Sequence, residues 1–300
     1  MVPVVLGATI AVFAMVRALP GDPAVIMLGN KATPEQIEAL QEKMGLNEPL
    51  VIQYLYFLRD LLTGDMGVSV SLNAPVTTLI GEKLEPTLLL VSMTVIITLA
   101  LAIPLSVLAA TRRDRLADHG VRVGTTLAFG MPQFWLGLLL VLVFSVNLPL
   151  FPVAGYGQTF AEHVWHMILP SLTLAIGMTA ILIRPLRADI IRLQQSEFVE
   201  VARAKGVRGS RLMTRHVLRN AMVTIVTILG VRVGWLIGGT VVVESVFSIP
   251  GLGWLLLRGV TSRDYAIIQG LTVVFVLGVV LINLLTDVLY TFLDPRVRFD

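Results

Sequence analysis

Side chains able to do chemistry are sparse in this 300-residue sequence, and they fall in a few places. His163 and His166 lie three residues apart, which puts two imidazoles on one helical face, but Glu162 is the only carboxylate beside them and two ligands do not make a metal site. Arg232 stands alone inside an apolar run, where an uncompensated cation costs about 2.5–3.5 kcal/mol or more. It should therefore face water or a partner. Glu244 and Ser245 stand at the far end of the same run. Absent chemistry is equally informative. With no cysteine, disulfides, thiolate zinc sites, iron-sulfur clusters and cysteine nucleophiles are excluded. The only lysines are Lys31, Lys43, Lys83 and Lys205, and none sits in a G-x4-G-K-[ST] sequence, so the chain has no P-loop for ATP. No Ser-His-Asp spacing or intramembrane acid pair suggests an enzyme.

The elements that must hold these residues are membrane helices. Hydrophobic residues make up 55% of the chain and charged ones 14%, against roughly 25% charged in soluble proteins. Apolar runs of spanning length recur near 1–16, 88–110, 124–146, 164–183, 222–247 and 268–292, which predicts an all-α polytopic membrane protein with six transmembrane helices and both termini on one side. Of the 23 Lys and Arg, 15 lie in 111–123, 184–219 and the last five residues, so that face is cytoplasmic. The acidic segment 17–87 is then extracytoplasmic. The first run is short, lacks the basic start and cleavage site of a signal peptide, and reads as a helix whose native beginning lies upstream of Met1. Net charge +3 gives no argument for nucleic acid. Pro104, Pro132 and Pro170, and glycines such as Gly230, Gly234 and Gly238, fit kinked, closely packed membrane helices.

Two soluble-type helices are legible in the outer segment. Thr33-Pro34-Glu35-Gln36 is a capping sequence, followed by the stripe Ile37, Leu40 and Met44 and a stop at Gly45. Residues 49–63 carry Leu50, Tyr54, Leu58, Leu61 and Leu62 ahead of Gly64 and read as interfacial. On the cytoplasmic side, residues 196–206 form a short helix by the same signals: Ser196 as N-cap, Glu197 and Glu200 near the positive end, Lys205 near the negative end, and Gly206 at the left-handed stop. A helix over 197–205 is about 13 Å long, a peg more than a domain. Ala202 and Ala204 leave its surface thin, while Arg203, Lys205, Arg208 and Arg211 offer charge. Taken alone, the loop is either a docking helix or the basic inner loop expected beside anionic lipid.

Glu200-x-Ala202-x3-Gly206, followed by His216-Val-Leu-Arg-Asn-Ala221, resembles the EAA loop of bacterial ABC importer permeases in its peptide and nickel version. The stretches Leu19-Pro-Gly-Asp-Pro23, Gly64-Asp-Met-Gly-Val-Ser69, Glu244-Ser-Val-Phe-Ser-Ile-Pro-Gly-Leu-Gly253, Arg263-Asp-Tyr265 and Asp287-x2-Tyr290-x3-Asp294-Pro-Arg296 are similar to that family's B-type subunit across essentially the whole chain. Val201 departs from the general pattern, replacing its first Ala, and basic residues ahead of the first run are missing. The resemblance implies a type I ABC importer permease fold as one transmembrane domain over 1–300, with 184–221 as the cytoplasmic coupling loop. It also implies a second permease subunit, two cytoplasmic ATPase subunits and an extracytoplasmic solute-binding protein, in a bacterial plasma membrane. Glu197, Glu200, Ala202, Arg203, Ala204, Lys205, Gly206 and Arg208 would couple the chain to an ATPase, and ATP with Mg would be bound there and not here. Arg232, Glu244 and Ser245 are the candidates for the translocation path, Glu244 and Ser245 as its gate or as a contact for the binding protein. The implied cargo is a dipeptide or oligopeptide, with nickel chelates or glutathione as alternatives.

An ion-coupled secondary transporter is the reading from a different class. It would show inverted repeats and several intramembrane acids, neither of which is apparent. Asp287 and Asp294, about 10 Å apart along one helix, read as structural partners of inner arginines.

Overall fold

The computed structural model describes residues 2–18, 25, 33–43 and 45–293. Its helices and one short hairpin run, in order, α1 (Val2–Ala18), α2 (Pro34–Lys43), α3 (Leu50–Leu62), β1 (Val68–Ser69) paired antiparallel with β2 (Ala74–Pro75), α4 (Val76–Thr111), α5 (Leu116–Gly130), α6 (Gln133–Val141), α7 (Phe160–Gln194), α8 (Glu197–Ala204), α9 (Gly209–Leu212), α10 (Arg219–Val246), α11 (Leu252–Thr261) and α12 (Tyr265–Leu293). Wider π-turns, Leu142–Asn147 and Met213–Leu218, continue α6 and join α9 to α10. The expected fold class, all-α and polytopic, is the observed one.

Among the described residues, four continuous helices are long and apolar enough to cross a membrane: α4, α7, the run Gly209–Val246, and α12. They outrun the apolar stretches because helical hydrogen bonding continues through polar residues at each end. The run expected at 124–146 is different. It is broken between α5 and α6 by a 107° bend at Met131–Pro132. Met131 precedes a proline, whose ring disfavours helical geometry at that position, and it is extended (φ −85, ψ 128). The first expected span is α1, 17 residues and so about 25 Å long, short of the roughly 30 Å hydrocarbon layer.

The chain divides into two compact units. In the first (1–85 with 254–280), Tyr54 of α3 shares a hydroxyl hydrogen bond with Thr9 of α1 at 2.9 Å, and Phe13 packs edge-on to Tyr54. α2 is capped as its sequence predicts: Gln36 N–H donates to Thr33 Oγ1 and Thr33 N–H to Gln36 Oε1. Met44, placed on the apolar stripe of this helix, and the stretch 19–23 lie outside the described residues. In the second unit (86–253 with 281–300), α7 is the central helix, packed against α5, α6 and α10. A Thr159–Glu162 capping box starts α7, and its Leu174, Leu182, Ile183, Leu186 and Ile190 are fully buried.

Candidate functional site

The short helix α8 has an inward and an outward side. Val199 and Ala202, three apart, are buried in the second unit's core with Leu193, Leu212 and Val217. Ala202 is thus not part of an outward surface; its small side chain lets α8 lie close to its own chain, which corrects the expectation that it thins a partner-facing edge. The outward side carries Glu197, Phe198, Glu200, Val201, Arg203, Ala204 and Lys205, all exposed. Phe198 and Val201, 41% and 54% exposed, form an apolar pair ringed by both signs of charge. Sequence reasoning missed that pair, although it repeats the three-residue spacing of Val199 and Ala202 one residue earlier, about 100° around the helix.

The end of α8 is fixed by backbone geometry. Gly206 has φ +83, its N–H donates to Arg203 O at 2.9 Å, and Val207 N–H donates to Ala202 O at 3.0 Å, a Schellman termination. The positive φ expected at Gly206 is present. Ser196 has N-cap backbone geometry, but its hydroxyl donates back to Leu193 O instead of accepting from the first turn. The Ser196 carbonyl instead accepts from Val199 N–H at 3.0 Å and Glu200 N–H at 3.2 Å, and the acidic Glu197 and Glu200 sit in the first turn, where the helix end is positive. Arg208 is exposed at the start of α9.

The other candidates do not gather around α8. On α10, Arg232 is exposed beside Val231 and Trp235, and among the described residues no carboxylate reaches it at ion-pair distance. Glu244, one face away and about 18 Å further along the helix, is fully buried. Its Oε1 accepts from Thr87 Oγ1 at 2.7 Å, and Thr87 Oγ1 in turn accepts from Leu252 N–H at 2.8 Å. Gly251 lies so close that a Cβ there would overlap the carboxylate, and a Cβ on Gly253 would come within 2.6 Å of Val241 Cα. Ser245 is half-buried and donates to Val241 O within the helix. In this conformation Glu244 therefore holds the 245–253 turn against α4 and lines no open surface.

Several charged sites were not anticipated as sites. Asp118 is fully buried and takes both Arg187 Nε (2.7 Å) and Nη2 (2.5 Å), a two-pronged pair between α5 and α7. The signal was an acid, one of two with Asp114, in the basic segment 111–123. In the first unit, Asp264 accepts from Ser69 Oγ (2.7 Å), Ser71 N–H (2.9 Å) and Ser71 Oγ (2.9 Å), so two stretches distant in sequence meet at one carboxylate. Burial pushes the Asp264 carboxyl up, but the donors outweigh it: Ser71 N–H first, then the Ser69 and Ser71 hydroxyls and Ile267 N–H. The group titrates below its ordinary value.

His163 stacks on Tyr156 with centroids 3.8 Å apart, and His166 Nδ1 lies 2.8 Å from Glu162 O. Asp287 is exposed and forms no ion pair among the described residues, so its expected pairing with an inner arginine is absent there; Asp294 lies outside them.

The comparisons with known proteins agree with this architecture. Residues 102–299 match the family model described as binding-protein-dependent transport system inner membrane component, and residues 1–102 match the model of that family's N-terminal part. The oligopeptide transport system permease protein AppB of Bacillus subtilis is 38% identical, covering 99% of this chain and 96% of its own. The glutathione transport system permease protein GsiC of Pectobacterium atrosepticum is 39% identical over 100% of this chain and 96% of its own. Among solved structures, the inward-facing MetNI methionine ABC transporter aligns with TM-score 0.59 at 16% identity, over 72% of this chain and 96% of the matched one. An amino acid ABC transporter aligns with TM-score 0.52 at 17% identity, over 71% and 93%.

Proposed function

The chain belongs to the family of binding-protein-dependent transport system inner membrane components, and from that premise we propose that it is the permease subunit of an ATP-driven importer of dipeptides or oligopeptides. It spans the membrane several times and works as a transport subunit. In our reading it forms the path with a second permease subunit, receives cargo from an extracytoplasmic solute-binding protein, and couples to two ATPase subunits that bind ATP and Mg. The membrane is the bacterial plasma membrane, with both termini cytoplasmic.

The observation that carries the mechanism is α8. A helix of 8 residues, anchored inward by Val199 and Ala202 and stopped by Gly206, presents Phe198 and Val201 within a ring of charge. Such a face suits a groove on a partner: the apolar pair supplies burial, while Glu197, Glu200, Arg203 and Lys205 set orientation. Because α8 is tied to the core around α7, movement of a partner holding it would be passed to the membrane helices as a rigid body.

Copurification from the native membrane tests the assembly: two ATPase chains and a second permease should accompany this one, and their absence would sink the proposal. Cargo is tested by competing labelled dipeptide, oligopeptide and glutathione in uptake vesicles. Glutathione is the second reading because a relative named for it is as similar as one named for oligopeptides.

A further inference from the structure

Beside the Asp118–Arg187 pair, α5 and α7 enclose a cleft of about 460 Å³ whose polar lining is His119, Arg122, Thr125, Thr126, Arg184 and Arg187. Its charge can be followed group by group. Asp118 is taken up by Arg187, and its distance of 3.9 Å from Arg122 Nε is too long for a hydrogen bond. The neighbouring acids are also engaged, Asp114 with Arg113 at 3.4 Å and Asp189 with Arg192 and Thr224 Oγ1. Arg122 Nη2 donates to His119 Nδ1 at 2.6 Å, which puts the proton of a neutral ring on Nε2, and Arg184 Nη2 donates to Thr126 Oγ1 at 2.8 Å. Each guanidinium carries five N–H donors, so most of those on Arg122 and Arg184 remain open to a ligand. The cleft thus holds two positive charges beyond those balanced by Asp118.

An anion is the complementary ligand, and the rim indicates which kind. Val123 and Leu127 border the cleft and are 59% and 58% exposed, an apolar strip that a small free anion would leave uncovered. The cleft lies toward the end of α7 that leads into α8, where the apolar part of α7 gives way to arginines. We infer that this cleft binds the headgroup of an anionic phospholipid, with Arg122 and Arg184 donating to phosphate oxygens and an acyl chain lying along Val123 and Leu127. The inference needs only that the chain sits in a membrane and is independent of what it transports.

Native mass spectrometry of the purified, delipidated transporter, titrated with phosphatidylglycerol or phosphatidylcholine, tests it. Phosphatidylglycerol should be retained in preference to phosphatidylcholine. Arg122→Gln with Arg184→Gln should weaken phosphatidylglycerol binding about 30-fold, roughly fivefold per lost arginine, and leave phosphatidylcholine unchanged. Lys at both positions should keep most of the binding. Should the double Gln variant fail to assemble, the two single variants carry the same comparison. Unchanged phosphatidylglycerol binding in the Gln variants would overturn the inference. So would binding of inorganic phosphate that depends on both arginines and is not displaced by phosphatidylglycerol, since the site would then serve a free anion.

Discussion

Arg232 and Asp264 show two fates for a charge in an apolar chain. Arg232 lies exposed on α10 between Val231 and Trp235, with no ion pair among the described residues, so its charge is available to something outside this chain. If that is the carboxylate of a passing peptide, Arg232→Gln should assemble normally and lower uptake of anionic peptides about tenfold, the worth of one charge-assisted hydrogen bond. Lys there should restore part of the rate. Failed assembly would instead assign Arg232 to an intersubunit pair, and unchanged uptake would remove it from the path. Asp264 is satisfied internally, and its lowered carboxyl makes a pH statement. The folded form holds the anion more tightly than the unfolded chain, so the stabilisation is complete above the ordinary aspartate pKa of about 3.9 and drains away as pH falls through the lower folded value. Asp264→Asn should therefore show a smaller loss of thermal stability between pH 7 and pH 3 than the parent chain, and equal losses would contradict the assignment. Arg232 was legible because one cation in an apolar run is conspicuous. The burial of Glu244 was not, since nothing local tells an exposed acid at a helix end from one folded under a glycine-rich turn.

Elements were legible where local chemistry decides them. The caps of α2, the stops at Gly45, Gly64 and Gly206, and the long apolar helices all follow from residues within a turn or two of the feature. The α5–α6 break was marked only by Pro132, and a proline alone does not distinguish a kink from a 107° bend; that depends on whether neighbouring helices hold the chain straight. In α8 the expected helix and stop are present, but which side faces inward depends on the core formed by α7 and α9. The stop yields a test. Proline cannot adopt the φ of +83 at Gly206 and lacks the N–H given to Arg203 O. Gly206→Pro should leave membrane insertion intact, lower uptake by an order of magnitude or more and release ATP hydrolysis from transport, whereas Asn, which tolerates the left-handed region, should be much milder. Uptake by the Pro variant at the parent rate would end the coupling assignment for α8.

At the scale of the molecule, the distribution of Lys and Arg sets the expected orientation. A cysteine at Ser210 should react with an impermeant label only from the cytoplasmic side and one at Asn47 only from outside, and reversed labelling would invert the topology. Chain-wide packing also constrains which sequences this fold can reach. Because a Cβ at 251 would occupy the place of the Glu244 carboxylate, the two positions cannot vary independently. In a pairwise substitution library Gly251→Ala should be strongly deleterious to folded yield on the parent background and nearly neutral once Glu244 has been shortened to Ala. The route by which this turn can diverge is thus ordered, with position 244 changing first and position 251 free to follow.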